Sequence, residues 1–187
     1  MTVTRRKDTK TARVFMHKVA DIRGGVSVNV TELGCDYLPE GSVLSAPVDG
    51  ICHVIKLAKA IAEATATDTT IKVAKGHPYN VGDVVMLAIG GTAKTITAID
   101  KSSSKTYDVI TLDATLGTAI EIGDQLIEAA EAGDSGAFKY TPLSLSGTGK
   151  PVIQGTNIDM DAWLIGVTKD NPLPADIASA LKGIINY

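Results

Sequence analysis

Apolar and polar residues alternate with a period of two along much of this chain. Val26, Val28 and Val30 alternate with Ser27, Asn29 and Thr31, the pattern of a strand with one buried face. Short strands are predicted on either side of the turn Arg23-Gly24-Gly25, over 14–30, and then at 42–45 and 51–57, split by the tight turn Asp49-Gly50. Residues 57–65 are rich in alanine, which favours a helix. They carry no helix-capping residue inside the run, so they are read as a continuing strand.

The clearest stretch follows. Strands are predicted at 71–74, 84–89, 95–99, 107–112 and 124–128, with glycine turns or polar tips between them. Strands that recur roughly every eight to twelve residues indicate a small barrel or sandwich. One local device repeats. Val81-Gly82-Asp83-Val84-Val85 matches Ile122-Gly123-Asp124-Gln125-Leu126, and Pro39-Glu40-Gly41-Ser42-Val43-Leu44 is a looser third copy. An apolar residue, a glycine able to take positive φ and a small polar residue start a strand each time. Residues 129–149, rich in Gly, Ala, Ser and Thr, read as a long connection. Further strands are predicted at 151–153 and 162–168. Pro172-Leu173-Pro174 then leads into a short helix with Ile177, Leu181, Ile184 and Ile185 on one face. The fold class that follows is mainly β: a small barrel or sandwich with an SH3-like insertion on a mixed β base, ending in a short helix. Residues 1–13 form a basic disordered arm, 14–65 plus 131–187 the base, and 66–130 the inserted barrel.

Composition narrows the function. Aromatic residues are 4% of the chain, too few for the exposed stacking platforms of sugar or single-strand nucleic-acid binders. Two cysteines, Cys35 and Cys52, make no disulfide framework. No apolar run approaches the roughly 18 residues of a membrane span, and no apolar segment follows the basic start to make a secretory signal. Charge is divided: Arg5, Arg6, Lys7, Lys10, Arg13 and Lys18 fall in the first eighteen residues against the one acid Asp8, on an otherwise acidic chain. Such a segment docks on something negative, or is a solvated tail without a partner.

No constellation for chemistry assembles. Gly147-Thr148-Gly149-Lys150 is followed by Pro151, which blocks the helix N-terminus that a phosphate loop needs. Cys52 and His53 point to opposite faces of a strand and do not chelate together. His77, in a loop before Pro78, caps backbone or packs at a contact. Asp100, Asp108 and Asp113 flank one hairpin, and Asp159 and Asp161 lie close together. Carboxylates at strand ends more often hold turns than run acid–base chemistry or bind calcium. No cofactor and no metal is expected. Trp163, the one tryptophan, belongs to the core or to a subunit contact. With Ile177, Leu181 and Ile184 it is the candidate oligomer interface.

The stretches Lys75-Gly76-His77-Pro78-Tyr79-Asn80-Val81-Gly82-Asp83, Tyr107-Asp108-Val109-Ile110-Thr111-Leu112-Asp113-Ala114-Thr115-Leu116-Gly117 and Gly133-Asp134 resemble the head fibre and capsid decoration proteins of tailed bacteriophages, over roughly residues 47–140. The resemblance implies a non-enzymatic virion protein on the capsid exterior, assembled with itself as a homotrimer or dimer. Its implied partner is the major capsid protein, with no membrane and no nucleic acid involved. Arg5, Arg6, Lys7, Lys10 and Arg13 are the candidate capsid contacts. The competing function is a nucleic-acid- or ribosome-binding SH3-like barrel, favoured by the basic arm and opposed by the acidic body. A small hydrolase or metal enzyme comes third.

Overall fold

A computed structural model describes residues 13–153 and 155–187 of the chain. Arg5, Arg6, Lys7 and Lys10, and so most of the expected arm, lie outside the described residues. The chain forms short strands almost throughout, with one short helix near its end, as the periodicity predicts.

Two sheets dominate. The base sheet runs β1 (Phe15–Asp21), β15 (Ala162–Thr168), β12 (Pro142–Ser146), β4 (Val43–Ser45), all antiparallel, with β16 (Ile184–Asn186) parallel beside β15. The second sheet has six strands in the order β6 (Leu57–Lys59), β11 (Gln125–Glu128), β8 (Val84–Met86), β9 (Lys94–Asp100), β10 (Tyr107–Leu112), β7 (Thr70–Ala74). Its first strand, β6, precedes residue 66, where the insertion was expected to begin. The sheet curls without closing into a barrel: its two outer strands meet at the one bridge Ala60–Val73, beside a bond from the Ile61 N–H to the Lys72 carbonyl (3.0 Å). Smaller sheets pair β14 (Ile158–Met160) with β2 (Val26–Asn29) and β5 (Cys52–His53), and β13 (Lys150–Pro151) with β3 (Tyr37–Leu38).

Three apolar clusters hold these layers. One, around Ile71, Val73, Ile110 and Leu126, fills the concave side of the six-stranded sheet. A second joins its other side to the base, bringing Met86 and Ile127 against Phe15, Leu145, Ile177 and Leu181. A third, with Val28, Leu38, Leu44 and Cys52, lies under the small sheets. Val85 and Leu126 enter the first cluster while their neighbours Met86 and Ile127 enter the second. Here the sheet is buried on both faces, which is why these strands read as unbroken apolar runs and not as alternation.

The repeated turn is the same object twice. Gly82 and Gly123 have φ of 96° and 103°. The Asp83 carboxylate accepts the Asn80 N–H at 2.7 Å, and the Asp124 carboxylate accepts the Glu121 N–H at 2.8 Å. The aspartate thus closes the turn that the glycine permits.

Two segments differ from expectation. Residues 129–149 are not only a connection, because β12 lies inside the base sheet. Ser144 and Ser146 are fully buried there, and the Ser146 hydroxyl takes the Ser42 N–H and reaches the Pro39 carbonyl, both at 3.0 Å. A strand that buries two serines around its one core leucine, Leu145, carries little hydrophobic signal. The C-terminal helix spans only Ala175–Ala180, and Ile184 and Ile185 belong to β16. Gly183 ends it: a Cβ there would lie 2.4 Å from the Leu164 carbonyl oxygen, and its own carbonyl accepts the Gly166 N–H. The chain is pressed onto β15 and continues as a strand.

Gly82→Ala and Gly123→Ala each remove about 1–3 kcal/mol of stability through backbone strain alone, since an added Cβ at either meets nothing closer than 4.0 Å. Gly133→Ala, with open space around it and no positive φ, changes stability by less than about 0.5 kcal/mol. Urea denaturation of the three variants reads the difference.

Candidate functional site

Where the six-stranded sheet meets the base, charged side chains form a continuous chain, buried at Lys56 and Glu128 and rising to the surface at Lys139. Lys56, between β5 and β6, is wholly buried. Its Nζ donates to both carboxylate oxygens of Asp83, at 2.8 and 2.7 Å, and lies 3.4 Å from Glu128 Oε1. Glu128, at the end of β11, also accepts from Lys139 Nζ at 2.9 Å. Lys139 continues to Glu32 Oε2 at 3.2 Å, and Glu32 Oε1 meets His53 Nδ1 at 2.5 Å. The His53 ring stacks on Tyr140 with centroids 4.0 Å apart and 12° between planes. Tyr140 returns its hydroxyl to Glu32. Beneath the chain, the fully buried Tyr79 reaches the carbonyls of Lys56 and Leu126 with its hydroxyl, at 2.9 and 3.0 Å.

The electrostatics follow from this pairing. Burial raises the Glu32 carboxyl, but the hydrogen bond to His53 and the field of Lys139 outweigh it and hold the group below its usual value. Burial lowers the Lys139 ammonium, and Glu128 and Glu32 reverse that and raise it above the usual lysine range. Tyr79 is raised well above its usual value by burial and by the neighbouring Glu128 and Asp83. The Lys56 and Lys139 links each oppose an ammonium to carboxylates, so the arrangement joins the two layers in one register.

A second buried group lies beside β10. Asp108 accepts from Lys75 Nζ at 2.6 Å and stands 3.5 Å from His77 Nε2, while His77 Nδ1 accepts the Tyr79 N–H at 3.3 Å. His77 therefore does cap loop backbone, and burial lowers its imidazole. Asp100 holds its hairpin tip, accepting from the Ser102 and Ser103 N–H groups and the Ser102 hydroxyl, and is lowered to about 2 by those bonds. Cys52 enters the third cluster while His53 turns to Glu32, so the two do face apart. Both cysteines are free and buried, and burial raises both thiols. Among the described residues no group of three or more His, Cys, Asp or Glu side chains is placed to hold a metal ion.

Of the four expected interface residues, Ile177 and Leu181 are buried and Trp163 and Ile184 are partly exposed. Ile177 and Leu181 are 0% and 3% exposed and pack inside the second cluster. They hold the helix on the base and offer nothing to another subunit. Trp163 and Ile184 pack partly against the same cluster. The Trp163 Nε1–H donates to Asp161 at 3.0 Å, and Lys18 Nζ stands 5.3 Å over its ring. Arg13, exposed at the foot of β1, lines a shallow hollow of about 440 Å3 together with Met16, His17, Lys18, Glu40 and Thr148. A cleft of about 340 Å3 between the layers is lined mainly by apolar groups. Two amides on its wall, Gln125 and Asn171, are bonded to the carbonyls of Pro172 and Gly41.

Sequence reasoning passed over Lys56 and Glu128. The available signal was a lysine inside the apolar run Val54-Ile55-Lys56-Leu57, and a glutamate ending Leu126-Ile127.

Lys56→Met takes the ammonium from Asp83 and leaves the buried Glu128 to Lys139 alone, and costs about 3–5 kcal/mol in equilibrium unfolding. Because Glu32 is lowered in the folded chain, its contribution is full above its usual 4.5 and lost as pH falls through the folded value. Glu32→Gln flattens that part of the stability–pH curve, measured by urea titration from neutral to acid pH.

No family model matches the chain, and neither the curated proteins nor the solved structures compared with it yield a match.

Proposed function

We propose that this chain is a capsid decoration or head fibre subunit of a tailed bacteriophage: a non-enzymatic virion protein that assembles with itself, as a homotrimer or dimer, on the capsid exterior and contacts the major capsid protein. The division of charge carries the reading. Residues 1–13 hold five basic side chains against one acid, and residues 14–187 hold thirteen basic against twenty acidic. The basic stretch extends past Arg13 to Lys18 on β1, beside the hollow there, where its ammonium also stands 3.7 Å from Asp161. One end of the molecule is thereby suited to an acidic surface. The internal organisation supports the same reading. The buried Lys56 and Glu128 are paired with charged partners, and two amides of the cleft wall, Gln125 and Asn171, are bonded to backbone. A rigid module of this sort serves as a scaffold.

The test is co-sedimentation with capsids that lack this protein. Full-length chain binds, and a 14–187 variant binds at least about tenfold more weakly, as loss of several charge contacts requires. Equal binding by both removes the basic segment from the contact, and binding by neither overturns the assignment. Salt-dependent binding of the full-length chain to nucleic acid, with capsids ignored, supports the SH3-like alternative instead.

A further inference from the structure

Strands β4 and β12 of the base sheet are buried on both faces, with Leu44 entering the third cluster, but the β1–β15–β16 part has one face toward the second cluster and one left exposed. Register identifies the uncovered side. Phe15 and Thr168 are opposite each other and both buried, so the inner row is set there. His17 pairs with Val167, and Val167 pairs with Ile185 across β16, making one outer row over three strands. Ala20 pairs with Ile165 in the next row, after a bulge at Val19. Inner positions agree: Gly166 faces the Phe15 ring, and Thr168 bonds Asn186. The outer rows leave Ile165 46% and Ile185 64% exposed, with Val19 66% exposed at the bulge. Of these outer residues only His17 is ionisable, on a body that is otherwise densely acidic.

We propose that a second copy of this chain packs on the β1–β15–β16 face, with Ile165 and Ile185 at the centre of the contact. This rests on the self-assembling reading above and names its surface. Two observations choose the occupant. The twelve residues outside the described range at the N-terminus contain only Met1 and Val3 as large apolar side chains, so that segment has too little apolar surface to cover the face itself. Residues 14–187 carry seven more acids than bases, so two copies repel wherever their charged surfaces meet. They approach at least cost where neither presents a carboxylate, and this face meets that condition on both partners. Flat rows of β-branched side chains stack face to face at about 10 Å, as in a β-sandwich.

The experiment is sedimentation velocity over a concentration series with four full-length proteins: wild type, Ile165→Lys, Ile185→Lys and Val48→Lys. Val48 is similarly exposed, at 51%, but lies in the turn between β4 and β5. Both isoleucines are exposed enough to accept lysine in the folded subunit, and urea unfolding of each variant verifies this. Wild type and Val48→Lys are expected to assemble alike, with Ile165→Lys and Ile185→Lys about thirtyfold or more weaker, the scale of losing an interface anchor. Assembly of both isoleucine variants at wild-type strength overturns this face as the interface and leaves self-assembly standing. A wild type that stays monomeric throughout the micromolar range overturns self-assembly itself.

Discussion

The position of Lys56 constrains everything around it. An ammonium group with no exposure is tolerated only where its charge is opposed and its donors are used. Asp83 does both by accepting from it in a two-oxygen grip, and Glu128 approaches from the other side. Neither carboxylate is free to be elsewhere. Asp83 also closes the turn before β8, and Glu128 ends β11 and extends the chain to Lys139, Glu32 and His53. A slip of β8 or β11 by one residue would turn these side chains to the opposite face and strand the lysine. Buried ion pairs add little net stability, but an unpaired one is costly, so such a network acts chiefly by penalising the wrong registers.

The same pairing explains how a sheet can be buried on both faces and remain uniquely packed. Val85 and Met86, or Leu126 and Ile127, offer apolar groups on each side, and hydrophobic burial alone discriminates weakly between such similar faces. The glycine–aspartate turns fix where each strand starts. Glu128, directly after Ile127, fixes which side faces the base. Tyr79 links the two devices by spanning from the loop before β8 to the backbone of Lys56 and Leu126.

Legibility in the sequence followed the strength of local chemistry. The strands from β7 to β11 were readable because β-branched residues, glycine turns and polar tips agree there. The repeated Gly82-Asp83 and Gly123-Asp124 motif was readable as a turn, and Asp100 as a turn holder, because both act within a few residues. β12 was not readable, since two of its buried groups are serines, and Ser146 finds its partners, Ser42 and Pro39, more than a hundred positions away. The spacing of Ile177, Leu181 and Ile184 fits a longer helix equally well. What breaks it is the tight contact of Gly183 with Leu164, which is tertiary. The charge chain was illegible for the same reason: Glu32 and Lys139 are 107 residues apart, and nothing in either neighbourhood names the other.

Low aromatic content sets the character of any assembly this chain makes. Tight pairwise interfaces usually depend on a few buried Trp, Tyr or Arg anchors. Here Trp163 is bonded to Asp161 and covered by Lys18, and Tyr79 is buried within the subunit. The apolar groups left at the surface of the base sheet are aliphatic, among them Met16, Val19, Ile165 and Ile185, which bury area without an aromatic anchor. Contacts of that kind are individually weak. They hold when several act together, because each further contact within an array forms at high effective concentration. A repetitive array supplies that arrangement and would strengthen a contact between copies that already forms in solution.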